Sequence, residues 1–556
     1  MNAGRQPHAE LSRSGGLPSG GTPRRSVRSL VLLYLLALLV NGLVAWLVAQ
    51  PGYTDAYYYF NGGRFIAEGR GLLDPYLWNY VAAPPDLPVP AFAYWQPMPS
   101  FLAALGILLF GRSSPFDAAQ MVFVLLGAAL APLTYVIAFS SSGERRHALL
   151  AGLLAVFSGF YAIYWSLPES FTPFALSGAG ALALAGLGRR APRWWVWLLA
   201  GVCAGLGHLT RADGVLLLAV VGFVALLPRE GSDKAGRLGG AVLAAIGYLL
   251  VMAPWFARNL AAFGRILPSG GINALWLIEY NDLFNYPPDL SPARYFAAGW
   301  GTILSGKWAA LRGNLASFVG VNNLVFLVPF TLIGLWRRWR ESWLLPAALY
   351  GVALFAAMTF AFSWPGVRGG WFHSSGALMP FIFSVALVGL DDVLRWVSRR
   401  RRTWDFETAR RVFGASVVVL AGIVTGFAVL MRVVGLPDLG QVAWNGQGAV
   451  YDEIGAVLDA LCSVPPDVRV MSNDPPGFYT HTGRGGVPLP NGDEATLLRA
   501  ADDYRVSFVV VDRNVADPLI GLYLNGPESG RLLLIGTFGS PDDPVYLYRL
   551  LEEPVR

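Results

Sequence analysis

Asp55 is the residue whose type and position most strongly suggest chemistry. It follows the apolar run Leu30 to Ala49 by six residues, in the sequence GYTDAYYYFNGG. An apolar run of about 20 residues can span a bilayer as a helix, so the carboxylate would lie at the membrane surface. There it could act as a general base on a substrate whose head group reaches that surface. The alternative is a structural role, as a helix terminator or as an ion-pair partner of Arg64.

Aromatic residues surround Asp55 and recur further along the same loop. Such side chains stack on sugar rings, but they also populate membrane interfaces as a belt. They therefore indicate a saccharide site only in combination with the carboxylate. The residues that we expect to contact a sugar or an acceptor are Tyr57, Tyr58, Tyr94, Trp95 and Gln96.

A second acidic residue, Glu169, stands in the sequence SLPESF between two apolar segments. It would lie at the same level as Asp55, as a second catalytic acid, a metal ligand or a group that orients the base. A lone glutamate in a tight interhelical turn is equally often a cap at a helix N-terminus. Both interpretations stay open. A divalent metal held by Asp55 and Glu169 also stays open, because the sequence contains no dedicated cluster of metal ligands.

Cationic residues lie where apolar segments end or are interrupted. Arg211, in GHLTRADG, is at membrane depth, where ionisable residues are usually paired or functional; a structural pair with Asp213 is the alternative. Arg258, in PWFARN, follows an apolar segment, where its planar guanidinium suits bidentate phosphate binding or plain snorkelling to lipid head groups. Arg368 and His373 flank a Gly-Gly-Trp sequence. Either could contact a lipid phosphate, and His373 could instead be a plain group at a helix N-terminus.

The composition is that of a membrane protein. Hydrophobic residues make up 54% of the 556 residues and charged residues 14%, which is too apolar for a soluble globule of this length. The net charge of +6 does not indicate nucleic-acid binding, because the basic residues form short clusters between apolar segments. Two cysteines, Cys203 and Cys462, provide neither a disulfide framework nor a CxxC metal pattern. The sequence therefore predicts a multi-pass protein of the plasma membrane that binds no nucleic acid.

The apolar segments predict about eleven membrane-spanning helices. The segment Met98 to Phe110 is ambiguous, because it is only 13 residues long and begins beside two prolines. If it is a juxtamembrane or re-entrant helix, the arginine clusters of the loops lie on the same side as the N-terminal arginines, as the positive-inside rule expects. This count places the N-terminus in the cytoplasm and the loops 51–115 and 256–318 outside. All candidate site residues then lie on the external face.

Three regions differ in composition. Residues 1–26 are rich in Gly, Ser, Pro and Arg and predict a disordered cytoplasmic N-terminus; cleavage as a signal peptide is the alternative, although the apolar run exceeds the usual h-region of about 7–15 residues. Residues 27–435 contain the apolar segments. From 440 to 556, helix-like and strand-like stretches alternate and predict a small external α/β domain, long enough for a core of its own. In it, the sequence 473–477 predicts a turn.

Together these features resemble the GT-C class of polytopic glycosyltransferases, which includes protein O-mannosyltransferases and the aminoarabinose transferase of lipid A. The resemblance covers residues 27 to 435 as architecture and is based on the sequences TDAYYYF, YWQPMPSFLAALGILLFG, LPES, LTRADG and APWFARN. The external α/β domain also looks like the appended domain of many members. The resemblance implies sugar transfer from a polyprenyl-phosphate donor to a glycan, lipid or protein acceptor on the external face, with the first-loop aspartate, here Asp55, as the base.

Two departures from that class limit what the resemblance implies. Gln96 is neutral where many members have a basic residue before paired prolines, which leaves a donor-phosphate contact there in doubt. In addition, no adjacent Asp-Glu pair follows the first apolar segment, as it does in the O-mannosyltransferases. The acceptor of those enzymes therefore does not carry over to this chain.

The expected reaction is direct displacement at the anomeric carbon, with inversion. Asp55 would take the proton of an acceptor hydroxyl, while Arg258, with Arg211 or Arg368, neutralises the departing phosphate. A transporter or flippase of lipid-linked saccharides is the main alternative, although it would place ionisable residues midway along the spans and show an internal repeat. A lipid-linked glycan polymerase or ligase, and a structural membrane protein with an external binding domain, are the others.

Overall fold

The computed structural model describes residues 23–82, 84–191, 193–228, 231, 233–401, 403–436, 443–461, 465 and 467–553. The first helix begins at Pro23, inside the segment 1–26 that we predict to be disordered, and residues 1–22 lie outside the described residues. Cys462 and the first three residues of the predicted domain 440–556 also lie outside them.

Six helical segments of the described chain are long and apolar enough to cross a membrane: Ser26–Leu47, Pro115–Ser142, Phe171–Arg190, Lys234–Phe263, Ser363–Arg400 and Phe406–Val434. Four shorter apolar helices are Met98–Phe110, Trp194–Thr210, Ala212–Leu226 and Leu345–Ala361. The chain is therefore a multi-pass membrane protein, as its composition predicts.

The helices of this part, with their bounds, are α1 (Pro23–Leu47), α2 (Thr54–Ala67), α3 (Met98–Phe110), α4 (Pro115–Ala128), α5 (Leu130–Ser142), α6 (Arg145–Val156), α7 (Phe171–Arg190), α8 (Trp194–Thr210), α9 (Val215–Leu226), α10 (Lys234–Phe263), α11 (Ser269–Asn273), α12 (Pro292–Ala297), α13 (Gly299–Ser317), α14 (Val328–Arg338), α15 (Leu345–Ala356), α16 (Ser363–Pro365), α17 (Trp371–Ser374), α18 (Met379–Arg400) and α19 (Phe406–Val429). Two short antiparallel strands, β1 (Leu73–Asp74) and β2 (Val89–Pro90), lie in the first loop.

Helices α8 and α10 approach each other closely through glycines. A Cβ atom on Gly201 would lie 1.9 Å from the carbonyl oxygen of Ala244, and one on Gly247 would lie 2.0 Å from that of Leu198. In apolar surroundings, such close backbone contact supplies the van der Waals attraction that holds helices together. Because Arg211 immediately follows α8, this contact helps to fix where the arginine leaves the helix.

After the last long helix, the chain forms a five-stranded mixed sheet with helices. Its elements are α20 (Ala449–Ala460), β3 (Arg469–Ser472), α21 (Pro475–Thr482), β4 (Gly486–Pro488), α22 (Glu494–Asp503), β5 (Val506–Val511), α23 (Ile520–Asn525), β6 (Leu532–Ser540) and β7 (Asp543–Leu550). The strand order is β4-β3-β5-β7-β6. Strands β4, β3 and β5 are parallel, whereas β7 runs antiparallel to both of its neighbours.

The predicted turn at 473–477 is the start of a helix. Asp474 is the N-cap of α21, and its carboxylate accepts a hydrogen bond from the backbone N–H of Gly477 at 3.1 Å. Two prolines occupy the first helical positions, where their missing N–H groups remove no helical hydrogen bond. The same residues thus favour a turn in isolation and a helix start in this context.

The C-terminal sheet packs directly against the loop between α2 and α3. Tyr80 donates from its hydroxyl to the carbonyl oxygen of Pro488 at 2.6 Å, and the Leu77 N–H donates to Gly486 at 2.8 Å. Leu77 and Tyr80 also belong to the apolar cluster that contains Leu497 of α22. The outer edge of β4 is therefore covered by this loop.

The glycine contact between α8 and α10 gives the first prediction. Gly201→Ala should lower the melting temperature of the detergent-solubilised protein, because overpacking costs about 1–3 kcal/mol and exceeds the roughly 1 kcal/mol of helix propensity gained. Gly222→Ala in α9 is the matched control, since a Cβ there meets no atom within 4 Å. It should leave the melting temperature unchanged or raise it. Equal melting temperatures of the two variants would contradict the close contact.

Candidate active site

Four separate segments bring ionisable side chains together at the ends of the membrane helices. Asp55 lies in the first turn of α2, where an acidic group is favoured by the helix dipole. Glu169 lies in the turn before α7, Arg211 in the break between α8 and α9, and His373 in the short helix α17. All four were singled out from the sequence, and the structure places them in one group.

The two acids and the histidine form the core of this group. One ligand atom from each of Asp55, Glu169 and His373 lies within 4.8 Å of the others. Glu169 Oε1 is 3.4 Å from Nδ1 of His373, and both residues are buried, with 1% and 8% of their surface exposed. The imidazole stacks on Phe171, with ring centroids 4.0 Å apart. These three residues could hold a metal ion.

Glu169 also caps a helix. Its Oε2 atom accepts a hydrogen bond from the backbone N–H of Phe171 at 3.0 Å, at the start of α7. The Ser170 hydroxyl lies 3.1 Å from both carboxylate oxygens and 3.0 Å from His373 Nδ1. The two interpretations that the sequence left open, capping and membership of a site, are therefore compatible.

Arg211 supplies the positive charge of the group. Its Nε atom donates to Asp213 at 3.1 Å and to the Ser374 hydroxyl at 2.8 Å, and Nη1 lies 3.3 Å from the Ser170 hydroxyl. The Ser374 hydroxyl in turn donates to Asp213. The Arg–Asp pair expected as a structural alternative is thus present, and it holds the guanidinium beside the acids.

The two carboxyl groups have opposite pKa shifts. Burial, and then the charge of Glu169, raise the pKa of Asp55 to about 6, against the opposing effects of His373 and Arg211. For Glu169, burial would raise the pKa, but His373 and Arg211 together bring it below its ordinary value. Two carboxyl groups with separated pKa values are typical of sites that use one of them for proton transfer. Asp55 is the one that can exchange a proton near neutral pH.

A second cation and two tyrosines stand near Asp55. The guanidinium of Arg368 lies 4.7 Å from the ring centroid of Tyr280. Burial, and then the charge of Asp55, raise the pKa of Tyr280, while Arg368 lowers it. Burial, Tyr280 and Asp55 likewise raise the pKa of Tyr94. Tyr280 was not singled out from the sequence, because IEYND carries no motif that distinguishes it from its loop.

Tyr53 contributes a buried hydroxyl next to the same acids. Burial, and then the charge of Glu169, raise the pKa of this tyrosine. Within the described part of the chain, its hydroxyl has no hydrogen-bond partner. Its ring makes edge contacts with Tyr164 and Trp444, at centroid distances of 6.2 and 5.9 Å. The sequence showed this residue only as one of several aromatics around Asp55.

Arg258 lies in a different environment. Its guanidinium donates to the carbonyl oxygen of Ala91 at 2.8 Å and packs near the rings of Trp255 and Phe263. The ionisable groups near it are Tyr58 and Asp74. A role in binding the donor phosphate stays a prediction for Arg258.

Among the predicted sugar-contacting residues, Tyr57 and Tyr58 already use their hydroxyl groups in hydrogen bonds within the protein. The hydroxyl of Tyr57 is hydrogen bonded to His481 at 3.0 Å, and that of Tyr58 donates to Asp74 at 2.8 Å. Both are therefore used within the protein. Trp95 packs against Tyr58 at a centroid distance of 4.7 Å, and Gln96 is buried with no partner for its Oε1 atom among the described residues. Sugar contact remains a prediction for all of them.

The C-terminal part contributes a carboxylate that faces α2. Burial raises the pKa of Asp474 to about 6, a hydrogen bond from the Thr54 side chain lowers it, and the charge of Asp55 raises it further. Asn61 of α2 donates to the carbonyl oxygen of Pro476 at 2.9 Å. The helix that carries Asp55 is thus in direct contact with the C-terminal part of the chain.

Comparison with known proteins gives matches among solved structures. No family model and no curated protein matches the chain. The archaeal oligosaccharyltransferase AglB from Archaeoglobus fulgidus, solved with an inhibitory peptide and a dolichol-phosphate, superimposes with a TM-score of 0.51 at 15% identity, over 94% of this chain and 74% of AglB. ArnT from Cupriavidus metallidurans, solved with undecaprenyl phosphate, gives a TM-score of 0.53 at 15% identity, over 95% of this chain and 99% of ArnT.

The chain has the GT-C fold. The resemblance expected from five short sequences is confirmed over nearly the whole chain, including the C-terminal sheet. At 15% identity the likeness shows the fold, so any role within the GT-C fold must be argued from the residues of this chain.

Asp74, the partner of Tyr58, gives a prediction on stability. Burial raises the pKa of Asp74 to about 7, against the lowering effects of the Tyr58 hydrogen bond and of Arg258. Because the folded pKa is above the unfolded value of about 3.9, the folded state binds more protons between these pH values. Its stability therefore falls as the pH rises from about 4 to 7. Asp74→Asn should melt at a higher temperature than the wild type at pH 8, and this advantage should disappear near pH 4.

Asp86 provides a control of opposite sign. A hydrogen bond from Arg469 lowers the pKa of this exposed carboxyl, so its contribution to stability is present above about pH 4 and lost on acidification. Asp86→Asn should not raise the melting temperature at pH 8. A melting temperature of Asp74→Asn that tracks the wild type from pH 4 to 8 would show that Asp74 is not held neutral by burial.

Proposed function

We propose that the protein is a membrane glycosyltransferase, which moves a sugar from a polyprenyl-phosphate donor to an acceptor hydroxyl on the extracytoplasmic face. The observation that carries this proposal is the convergence of Asp55 with Glu169, His373 and Arg211 from four segments. The GT-C fold supports it, since AglB and ArnT with this fold were solved with a dolichol-phosphate and with undecaprenyl phosphate.

Asp55 is the proposed base. A carboxyl group with a pKa of about 6 is mostly ionised at neutral pH yet still accepts a proton. It would take the proton of the acceptor hydroxyl as the oxygen forms a bond to the anomeric carbon. The bond from that carbon to the phosphate oxygen breaks at the same time, so the configuration inverts and the polyprenyl phosphate leaves.

Arg211 is the cation that we expect to stabilise the leaving phosphate. It is held by Asp213, Ser170 and Ser374, so its position requires no rearrangement during the reaction. Arg368 is exposed, and its guanidinium stacks on Tyr280, so it is a second and less restrained candidate for the phosphate. Arg258, which donates to the carbonyl oxygen of Ala91, is a third candidate.

The group formed by Asp55, Glu169 and His373 also fits a divalent cation. Two carboxylates and an imidazole are donors that Mn²⁺ and Zn²⁺ accept, and no other described residue donates a hydrogen bond to the Asp55 carboxylate. Asp55, Glu169 and His373 would hold such an ion. It would add positive charge for binding the phosphate and would favour the ionised form of Asp55. Arg211 and the base would keep the roles described above.

We further propose that the membrane part makes about eleven crossings, with the N-terminus in the cytoplasm. The ion pairs of Arg410 with Glu144 and Asp391 mark one end of the bundle. Residue 391 lies far along α18 from His373, and Arg410 lies near the start of α19, so these ion pairs lie at the membrane face opposite to Asp55 and Glu169. Arg399 and Arg400, in the last turn of α18, are at the same end, which agrees with the positive-inside rule.

The reaction is tested by Asp55→Asn in the purified full-length protein. Sugar transfer from polyprenyl-phosphate monosaccharides should fall about 10²- to 10⁴-fold, which is the usual contribution of a general base. The melting temperature should be retained, because the amide keeps the shape of the side chain. Asp117→Asn is the matched control, since Asp117 is also in the first turn of a helix, α4, and is exposed.

Three results are informative in this comparison. Loss of transfer in Asp55→Asn alone supports the proposed base. Equal turnover by both variants would remove Asp55 from the mechanism, and absence of turnover with every donor in the wild type would reject the transferase reaction in favour of a lipid-linked saccharide transporter.

Metal binding is tested by thermal stability, independently of turnover. Millimolar Mn²⁺ should raise the melting temperature of the EDTA-treated wild type, because a ligand that binds only the folded state stabilises it by about 2.7 kcal/mol at 100 times its Kd. The shift should be lost in Asp55→Asn and retained in Asp117→Asn. A shift of the same size in all three proteins would place the metal elsewhere.

A further inference from the structure

A small open cleft lies between the C-terminal sheet and the external loop that follows α11. Its walls come from three parts of the chain that are distant in sequence, and it is lined by Asn281, Phe284, Asn473, Leu489, Asn491 and Ala516. The loop is fastened to the sheet at this point, because the Asn491 N–H donates to the carbonyl oxygen of Phe284 at 2.8 Å. The Asn491 side-chain amide also donates to Asn285 at 2.8 Å.

The topology of the sheet makes this place a binding crevice. Strands β3 and β5 are neighbours and parallel. After β3 the chain enters α21, whose Phe478 packs on one face of the sheet. After β5 it reaches Leu519 and Leu522, which pack on the other face. In open α/β sheets, ligands bind at the carboxyl ends of two such strands, where the connections leave in opposite directions. Asn473 and Ala516 follow these two strands.

The cleft is adjacent to the proposed base. Asn281 is next to Tyr280, and Asn473 is next to Asp474. The Asp474 carboxylate accepts a hydrogen bond from the side chain of Thr54, which precedes Asp55 in α2. The cleft and Asp55 therefore border the same contact between α2 and the C-terminal sheet.

The cleft offers unused hydrogen-bonding groups. The Asn473 amide donates to Asp512 at 2.6 Å, and that of Asn491 donates to Asn285 at 2.8 Å and to Glu279 at 3.3 Å, but no described residue donates to the Oδ1 atom of either. The Asn281 side chain bonds to no described protein group. Asn281 therefore offers donors and an acceptor, and Asn473 and Asn491 each offer an acceptor, which suits sugar hydroxyl groups. Phe284 adds an aromatic ring.

These features favour a saccharide over a peptide. An extended peptide would bind by adding a strand to a sheet edge. The nearest edge, β4, is covered by Leu77 and Tyr80, which donate to the carbonyl oxygens of Gly486 and Pro488. The lining also carries no cationic side chain that would select an anionic acceptor group.

We propose that this cleft, at the carboxyl ends of β3 and β5, binds the acceptor of the reaction, and that the acceptor group held there is a neutral saccharide. The proposal rests on the proposed function, because it names the second substrate of that site. Asn281, Asn473 and Asn491 bind the sugar hydroxyls, and the ring lies at the open mouth of the cleft, beside Ala516. An acceptor hydroxyl then points away from the sheet towards Asp55.

Binding of simple glycosides tests the cleft without turnover. A panel of methyl glycosides of neutral hexoses and pentoses would be measured against the detergent-solubilised full-length protein by saturation-transfer NMR. Ala516→Trp fills the cleft and should abolish the binding seen with the wild type. Asn281→Ala should weaken it about three- to tenfold, as expected for one hydrogen bond. Asn514→Trp is the control, because Asn514 is exposed and does not line the cleft.

Turnover separates this proposal from the proposed function. With a polyprenyl-phosphate sugar as donor, Ala516→Trp should raise the KM for the glycoside at least tenfold, whereas the control Asn514→Trp should leave that KM unchanged. Binding of no glycoside, or equal binding by Ala516→Trp and the wild type, would overturn the proposal even if Asp55→Asn abolishes transfer. Peptides that bind to the wild type and not to Ala516→Trp would also overturn it. Glycoside binding that Ala516→Trp abolishes, without any donor turnover, would keep the saccharide site and reject the transferase reaction.

Discussion

Two carboxyl groups held side by side, one buried and one partly buried, are the constraint on which this site depends. Neither Asp55 nor Glu169 can ionise at low cost next to the other unless a cation is near. The charge of Arg211 and the contact with His373 compensate chiefly Glu169, whose pKa is lowered while that of Asp55 is raised. The environment thus favours the ionised form of Glu169 and leaves Asp55 as the acid that exchanges a proton.

The irregular backbone around the site follows from this constraint. Arg211 lies in a break between two apolar helices, and Gly369 has a φ of +127° in the kink before α17. A Cβ atom at Gly369 would be strained and would lie 3.2 Å from the His373 ring. Non-helical backbone at membrane depth is tolerated where it is buried in protein or lines a cavity. The helices are thus interrupted at the positions where their polar side chains enter the site.

Much of the site could be predicted from the sequence, because each of its main residues interrupts or borders an apolar segment. A charge at such a position is costly unless it is used, so Asp55, Glu169, Arg211 and His373 stood out individually. Their convergence could not be predicted, since it depends on helix packing such as the glycine contact at Gly201. The GT-C architecture was predicted from short motifs and is confirmed as a fold.

The C-terminal part shows what local patterns miss. Its alternating helix-like and strand-like stretches predicted an α/β fold, and the sheet is present. Strand β4 was missed because Gly486–Pro488 is three residues long and contains little β-favouring sequence. Helix α21 was missed because Asp474 and the prolines after it favour a turn equally well. Tyr280 was missed because nothing in its own loop distinguishes it from a solvent-exposed aromatic residue.

The position of α2 explains why the C-terminal sheet belongs with the membrane part. The hydroxyl of Ser100 in α3 donates to the carbonyl oxygen of Tyr59 at 2.9 Å, which fixes α2 from the membrane side. Asn61 donates to Pro476 and accepts from Thr480, which fixes it from the sheet side. A short helix of 14 residues is marginal alone in water. Its first turn, and with it Asp55, is therefore positioned by contacts from both sides, so that the position of the proposed base depends on two parts of the fold.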